Sequence, residues 1–100
     1  MFDGLQAWLR PYAIWLYQVA SQYGMQPRIT SVYRSWDKQR VLRERWEKGQ
    51  SNLYAAPPGQ SKHQYGLAFD MVTTDNTALG NLWKRMGGKW YPSDYPHFEV

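Results

Sequence analysis

Ser61-Lys62-His63-Gln64-Tyr65-Gly66-Leu67-Ala68-Phe69-Asp70 reads S-x-H-x-x-G-x-A-x-D, with a histidine and an aspartate seven residues apart. A second stretch near the end of the chain, Asp94-Tyr95-Pro96-His97-Phe98-Glu99, complements it. The chain has two histidines, His63 and His97, and each lies in one of these stretches. Two imidazoles and one carboxylate compose a common open zinc site, whose fourth position is left to water or substrate. His63, Asp70 and His97 are therefore expected to hold one zinc ion, with Asp94 beside them as the base. On residue types alone, two unrelated histidines would be the simpler reading. The spacing and the flanking residues favour the metal site.

Working outward, 67–72 reads as a strand. Its side chains alternate, so Leu67, Phe69 and Met71 share one face, and Ala68, Asp70 and Val72 share the other. The bulky apolar face suits a core, and the small Ala68 leaves room beside Asp70. Pro96 biases Tyr95 towards an extended backbone. A last strand over 97–100 then turns Phe98 and Val100 inward and His97 and Glu99 outward. Alternation thus places Asp70 and His97 on non-core faces independently of the motif.

The rest of the chain supplies the frame. Leu5, Trp8, Leu9, Tyr12, Leu16, Val19, Ala20 and Tyr23 recur at helical spacing and predict one apolar face. Pro11 is tolerated only in a first turn, so a helical turn to about residue 10 precedes a main helix over 11–23. The tryptophans of this segment are expected in the core. A β-branched and aromatic run over 28–33 predicts a strand. Ser35 caps a helix over 36–48, with Val41, Leu42 and Trp46 inward and a Glu44–Lys48 surface pair. Residues 50–62, with Pro57-Pro58-Gly59, form a loop leading into the first motif, either a cleft wall or a plain connector. A helix over 77–86 buries Leu79, Leu82, Trp83 and Met86. A short strand over 89–91 and a turn over 92–96 follow. The fold class is α+β: helices on one face of a small, mostly antiparallel sheet, with the metal site on the other.

One hundred residues fit one domain, 1–100. The absence of cysteine excludes disulfides, thiolate zinc sites and cysteine nucleophiles. No apolar run approaches the ~20 residues of a membrane helix. Met1-Phe2-Asp3 does not open a basic region followed by an apolar one, so no secretory signal is read. The formal charge of +4 favours polyanions in general. No nucleic-acid motif accompanies it, and no specific nucleic-acid partner is expected. Oligomeric state is not legible.

The two stretches, with Tyr33-Arg34-Ser35-Trp36-Asp37-Lys38-Gln39 as a match to Y-R-S-x-x-x-Q, resemble the zinc D-alanyl-D-alanine carboxypeptidase and L-alanyl-D-glutamate endopeptidase family, which includes VanY-like enzymes and phage endolysins. The resemblance runs from about residue 11 to 100. It implies a Hedgehog/D,D-peptidase-like fold, zinc held by His63, Asp70 and His97, and Asp94 as general base. It implies that Arg34 binds a carboxylate or a developing oxyanion, and that Ser61 and Gln39 touch substrate. Glu99 is a rival to Asp94 and is assigned to orienting a ligand. Two features depart from the family. Val32 stands where glycine is frequent, and no wall-binding module follows the second motif.

The expected activity is zinc-dependent hydrolysis of peptidoglycan stem peptides. Asp94 and the Gly87-Gly88-Lys89-Trp90 approach favour the L-alanyl-D-glutamate endopeptidase type. D-alanyl-D-alanine carboxypeptidase is the alternative, and a non-catalytic zinc-stabilised binding domain is a second class. Synthesis in the cytoplasm with action on the wall would need a lysis-time or virion route, as in phage or prophage proteins.

Overall fold

Four short strands make one antiparallel sheet in the order β1-β2-β4-β3. They are β1 (Arg28–Ser31), β2 (Ala68–Val72), β3 (Lys89–Trp90) and β4 (His97–Glu99). The helices are α1 (Arg10–Gln22), α2 (Trp36–Glu47) and α3 (Asn76–Arg85). The computed structural model describes residues 1–100.

Sheet alternation separates core from site. Phe69 and Met71 of β2 and Phe98 of β4 are fully buried, and they pack with Leu79 and Trp83 of α3 and Leu16 of α1. Phe69 and Phe98 stack at 5.3 Å, with Trp83 edge-on to both. Aromatic side chains of this size supply much of the apolar burial available to a short chain. Asp70 and His97 point to the opposite face. Ala68 is also fully buried there, because the 3₁₀ turn Lys62–Tyr65 packs against β2.

Several local expectations are corrected. The inward stripe of the N-terminal region is Phe2, Leu5, Leu9, Ala13, Leu16 and Ala20. Trp8, Tyr12 and Tyr23 are 54%, 51% and 75% exposed, because they flank that stripe, and Trp15 is exposed too. α1 begins at Arg10, with Pro11 in its first turn where no N–H is missed. β1 ends at Ser31, after a register shift between Ile29 and Ser31. α3 buries Leu79, Gly80 and Trp83 but leaves Met86 at its end exposed. Gly80 is needed there, since a Cβ would fall 2.0 Å from the Trp90 ring.

α2 departs most. It does not join α1 and α3 on the core face. It lines the cleft on the opposite face through Gln39, Leu42 and Arg45, and its one buried residue is Gln39. Val41, Leu42 and Trp46 are half-buried. Ser35 caps the helix, accepting from Lys38 N. The expected Glu44–Lys48 pair is replaced by Arg40–Glu44 and Arg43–Glu47, because Lys48 lies at the C-cap outside the helix. No helix is long and apolar enough to cross a membrane.

Candidate metal centre

Each site residue is placed by a short, well-tied segment. Ser61 accepts a hydrogen bond from His63 N at 3.3 Å and so caps the turn that carries His63. Gly66 ends that turn at φ +67°, where a Cβ would meet Gln6 N and Gly4 O at 3.0 Å. Left-handed backbone at a crowded site requires glycine, and the reversal hands the chain to β2. Asp70 then lies directly opposite His97 in the β2–β4 ladder. Trp83 Nε1 donates to Glu99 O, fixing the far end of β4.

The turn bearing Asp94 is held from below. Tyr95 O accepts from Asn76 Nδ2 and from Trp90 Nε1, both at 2.8 Å. Pro96 O accepts from Met71 N at 2.8 Å. Asn76 is 7% exposed and also donates to Met71 O. It is a positioning residue that neither motif signals.

The proton positions follow from the partners. His63 Nδ1 lies 2.7 Å from Val32 O, and a carbonyl oxygen only accepts. Nδ1 therefore carries the proton. His97 Nε2 lies 2.8 Å from Glu99 Oε1, and an ionised carboxylate only accepts, so Nε2 carries the proton there. Each neutral ring then has one nitrogen with a lone pair. Those two nitrogens face the same atom: His63 Nε2 is 3.2 Å and His97 Nδ1 is 3.1 Å from Asp70 Oδ1.

Two lone pairs converging on a carboxylate oxygen are mutually repulsive unless a cation lies among them. In the metal-free protein a proton on His97 answers part of that demand. His97 has its pKa raised: burial opposes the shift, but hydrogen bonds to Asp70 and Glu99 and the charges of Asp70 and Asp94 outweigh it. Burial likewise opposes ionisation of Asp70, yet hydrogen bonds from His63 and His97 hold its carboxyl well below the usual range. A zinc ion satisfies the same demand. Its N and O ligands lie ~2.0–2.2 Å away, so at a tetrahedral angle they sit roughly 3.3 Å apart. Here the facing atoms are 3.1 and 3.2 Å apart, and all three candidate ligand atoms lie within 4.8 Å of one another. The donor set fits the metal.

A cleft of about 1000 Å³ opens over this group and includes Arg34, Arg45, Tyr54, Tyr91 and Asp94 in its lining. Residues 50–56 line it too, so the long loop is a cleft wall. Arg34 donates through Nη2 to Asp70 Oδ2 at 3.2 Å and through Nη1 to Gln39 Oε1 at 3.0 Å. Burial lowers its pKa, against the opposing charges of Asp70 and Asp94. Asp94 is exposed, makes no side-chain hydrogen bond to the ligands, and acts on His97 and Arg34 through its charge. Gln39, expected to touch substrate, is 1% exposed and engaged at both ends of its amide. The Val32 carbonyl, which fixes His63, is a backbone group that no side-chain pattern could have announced.

Solved structures share this architecture. The VanY D,D-pentapeptidase of a VanB-type vancomycin-resistance cassette, a mutant in complex with Zn(II), superposes with a TM-score of 0.76 at 20% identity, covering 96% of this chain and 72% of that one. The LD-carboxypeptidase LdcB gives 0.75 at 22% identity, with 98% and 66% covered. The L-Ala D-Glu endopeptidase ChiX of Serratia marcescens gives 0.61 at 20% identity, with 99% and 82% covered. Comparison with curated proteins finds no match. At such identities these likenesses speak for the fold. The sequence itself matches the VanY model, D-alanyl-D-alanine carboxypeptidase, across residues 5–94, so the chain belongs to the VanY family.

Proposed function

We propose that this chain is a zinc metallopeptidase that hydrolyses peptidoglycan stem peptides, of the L-alanyl-D-glutamate endopeptidase type. One observation carries the reading: two imidazole lone pairs and one carboxylate oxygen converge at the floor of a cleft that also holds an unengaged carboxylate, Asp94. His63, Asp70 and His97 would hold the zinc. When bound, the ion would lower the pKa of a water towards ~7 and polarise the scissile carbonyl.

The chain's own groups do the rest. Asp94 takes the proton of the attacking water and returns it to the leaving amide nitrogen. Arg34, with three N–H donors beyond the two already engaged, steadies a carboxylate or a developing oxyanion. Glu99 holds the His97 ring in the tautomer that leaves Nδ1 free. The Ser61 hydroxyl, which accepts in its cap, still has its proton to donate to substrate.

The endopeptidase type is supported by an aspartate in the base position and by the ChiX likeness, which spans most of that chain. Removal of terminal D-alanine is the second reading, favoured by the description of the matching family. Digestion of purified peptidoglycan, with and without chelator and with fragments identified by mass, separates them. Chelator-sensitive release of fragments beginning at D-glutamate is expected. Loss of D-alanine alone would shift the assignment to the carboxypeptidase. Tightly held zinc without any cleavage would leave a binding domain.

A further inference from the structure

The only buried residue of the twelve-residue helix α2 is a glutamine. A leucine would anchor the helix by burial alone, so the amide calls for a reason. Its Oε1 accepts from Arg34 Nη1 at 3.0 Å, and its Nε2 donates to Ala56 O at 2.8 Å. One side chain thus joins Arg34, just beyond β1, to the loop that walls the cleft. The loop is also tied at the adjacent carbonyl, where Arg43 Nη1 donates to Ala55 O at 3.1 Å. Farther along, Gly59 N donates to Gln64 Oε1 at 2.7 Å, beside the histidine turn.

We propose that Gln39 is a positioning residue, which fixes the Arg34 guanidinium and makes its orientation depend on the cleft wall at Ala56. The proposal rests on the role given to Arg34 above. The guanidinium is a planar fork, so holding two of its donors fixes the direction of the other three. Asp70 Oδ2 holds one of these donors and Gln39 Oε1 the other. Without the glutamine, Arg34 rotates about its contact with Asp70. Losing an acceptor is also unfavourable for a half-buried guanidinium. Because the same amide grips Ala56, a substrate pressing on the wall and the arginine that meets it are mechanically linked.

Gln39→Met keeps the volume and removes both hydrogen bonds. The expected result is a kcat about 10- to 100-fold lower, the usual cost of a misdirected group, with KM within about 2-fold and zinc affinity unchanged. In an Arg34→Lys background the same substitution should cost less than about 2-fold, since the two residues act as one unit. A KM rise at constant kcat would make Gln39 a substrate contact and overturn the proposal, as would an equal loss in both backgrounds. A second readout needs no activity. The Arg34 Nη1–H resonance held by Gln39 in the zinc-loaded protein should be slow to exchange with solvent, and fast in Gln39→Met. Equal protection in both also overturns the proposal, whether or not the wild type cleaves peptidoglycan. If Gln39→Met fails to fold, Gln39→Glu serves. It keeps the acceptor for Arg34 and loses the donor to Ala56, so Arg34 stays protected while exchange near Ala56 rises. Loss of Arg34 protection with Ala56 unaffected contradicts the linkage.

Discussion

Asp70 and His97 face each other as direct partners across the β2–β4 ladder, with Asp70 Oδ1 3.1 Å from His97 Nδ1. In the metal-free protein they shift one another in opposite directions, Asp70 downward and His97 upward. A depressed carboxyl stabilises the fold above its unfolded pKa of ~3.9 and loses that contribution as pH falls through the folded value. A raised imidazole stabilises it below its unfolded pKa of ~6.5 and loses that contribution as pH rises through the folded value. The pair therefore contributes most between about pH 4 and 6.5. The Tm difference between metal-free wild type and Asp70→Asn should peak in that window. A difference that grows steadily towards alkaline pH would remove His97 from the coupling.

Zinc should reverse the upper flank. The proposed site would need His97 Nδ1 without its proton, and the raised pKa makes the proton a stronger competitor. Added zinc should therefore raise Tm more at pH 8 than at pH 6. At a free concentration 100 times Kd it stabilises by about 2.7 kcal/mol. Alanine at His63, Asp70 or His97 should abolish the increment. A zinc effect of equal size in the His97→Ala protein would exclude this site.

Glu99 acts at one remove. Its carboxylate accepts from His97 Nε2 at 2.8 Å, while Trp83 grips its backbone carbonyl. Glu99→Ala removes the acceptor that selects the ring tautomer. Zinc affinity, read by competition with a chromophoric chelator, should fall about 10- to 100-fold. Affinity unchanged from wild type would show that the strand alone aims the ring.

Much of this centre was legible before the fold was known, for definable reasons. Period-two alternation puts Asp70 and His97 on one sheet face, because Phe69, Met71 and Phe98 must take the other. That argument is local and survives without coordinates. The stripe of α1 was less legible. Trp8 and Tyr12 fit helical spacing, yet Ala13 fills the position against the core, and spacing alone does not separate a buried line from its flanks. The place of α2 is less legible, because Val41, Leu42 and Trp46 offer an apolar face that fits either side of the sheet, while the residue the helix buries is Gln39. The Val32 carbonyl, the Asn76 amide and the loop contacts at Ala55 and Ala56 depend on tertiary placement.

Asp94 should separate chemistry from metal binding. It lines the cleft without bonding to the ligand side chains, so Asp94→Asn leaves the donor set intact. The variant should bind zinc with near wild-type affinity and lose peptidoglycan hydrolysis by about 10²- to 10⁴-fold, the range for removal of a general base. Zinc content by elemental analysis and fragment yield by mass spectrometry measure the two quantities separately. Retained hydrolysis would transfer the proton to another group, with Glu99 the first to examine.

The last prediction concerns the support beneath Asp94. Asn76 donates to Met71 O and Tyr95 O and accepts from Thr73 N and Thr73 Oγ1, all at 2.6–2.9 Å. Asn76→Ala leaves the buried Met71 O without its amide donor and Tyr95 O held by Trp90 Nε1 alone, a cost of about 1–3 kcal/mol for a lost buried acceptor or donor. In a domain of this size each kcal/mol lowers Tm by about 4–8 °C. The proposed zinc ligands ride on β2, β4 and the capped turn, so metal affinity should fall less than turnover. Asn76→Asp keeps the acceptor for Thr73 but offers no amide to Tyr95 O, and should show the same separation. A protein with lowered Tm and unchanged turnover would detach the turn's anchoring from the chemistry, leaving Asn76 a purely structural amide.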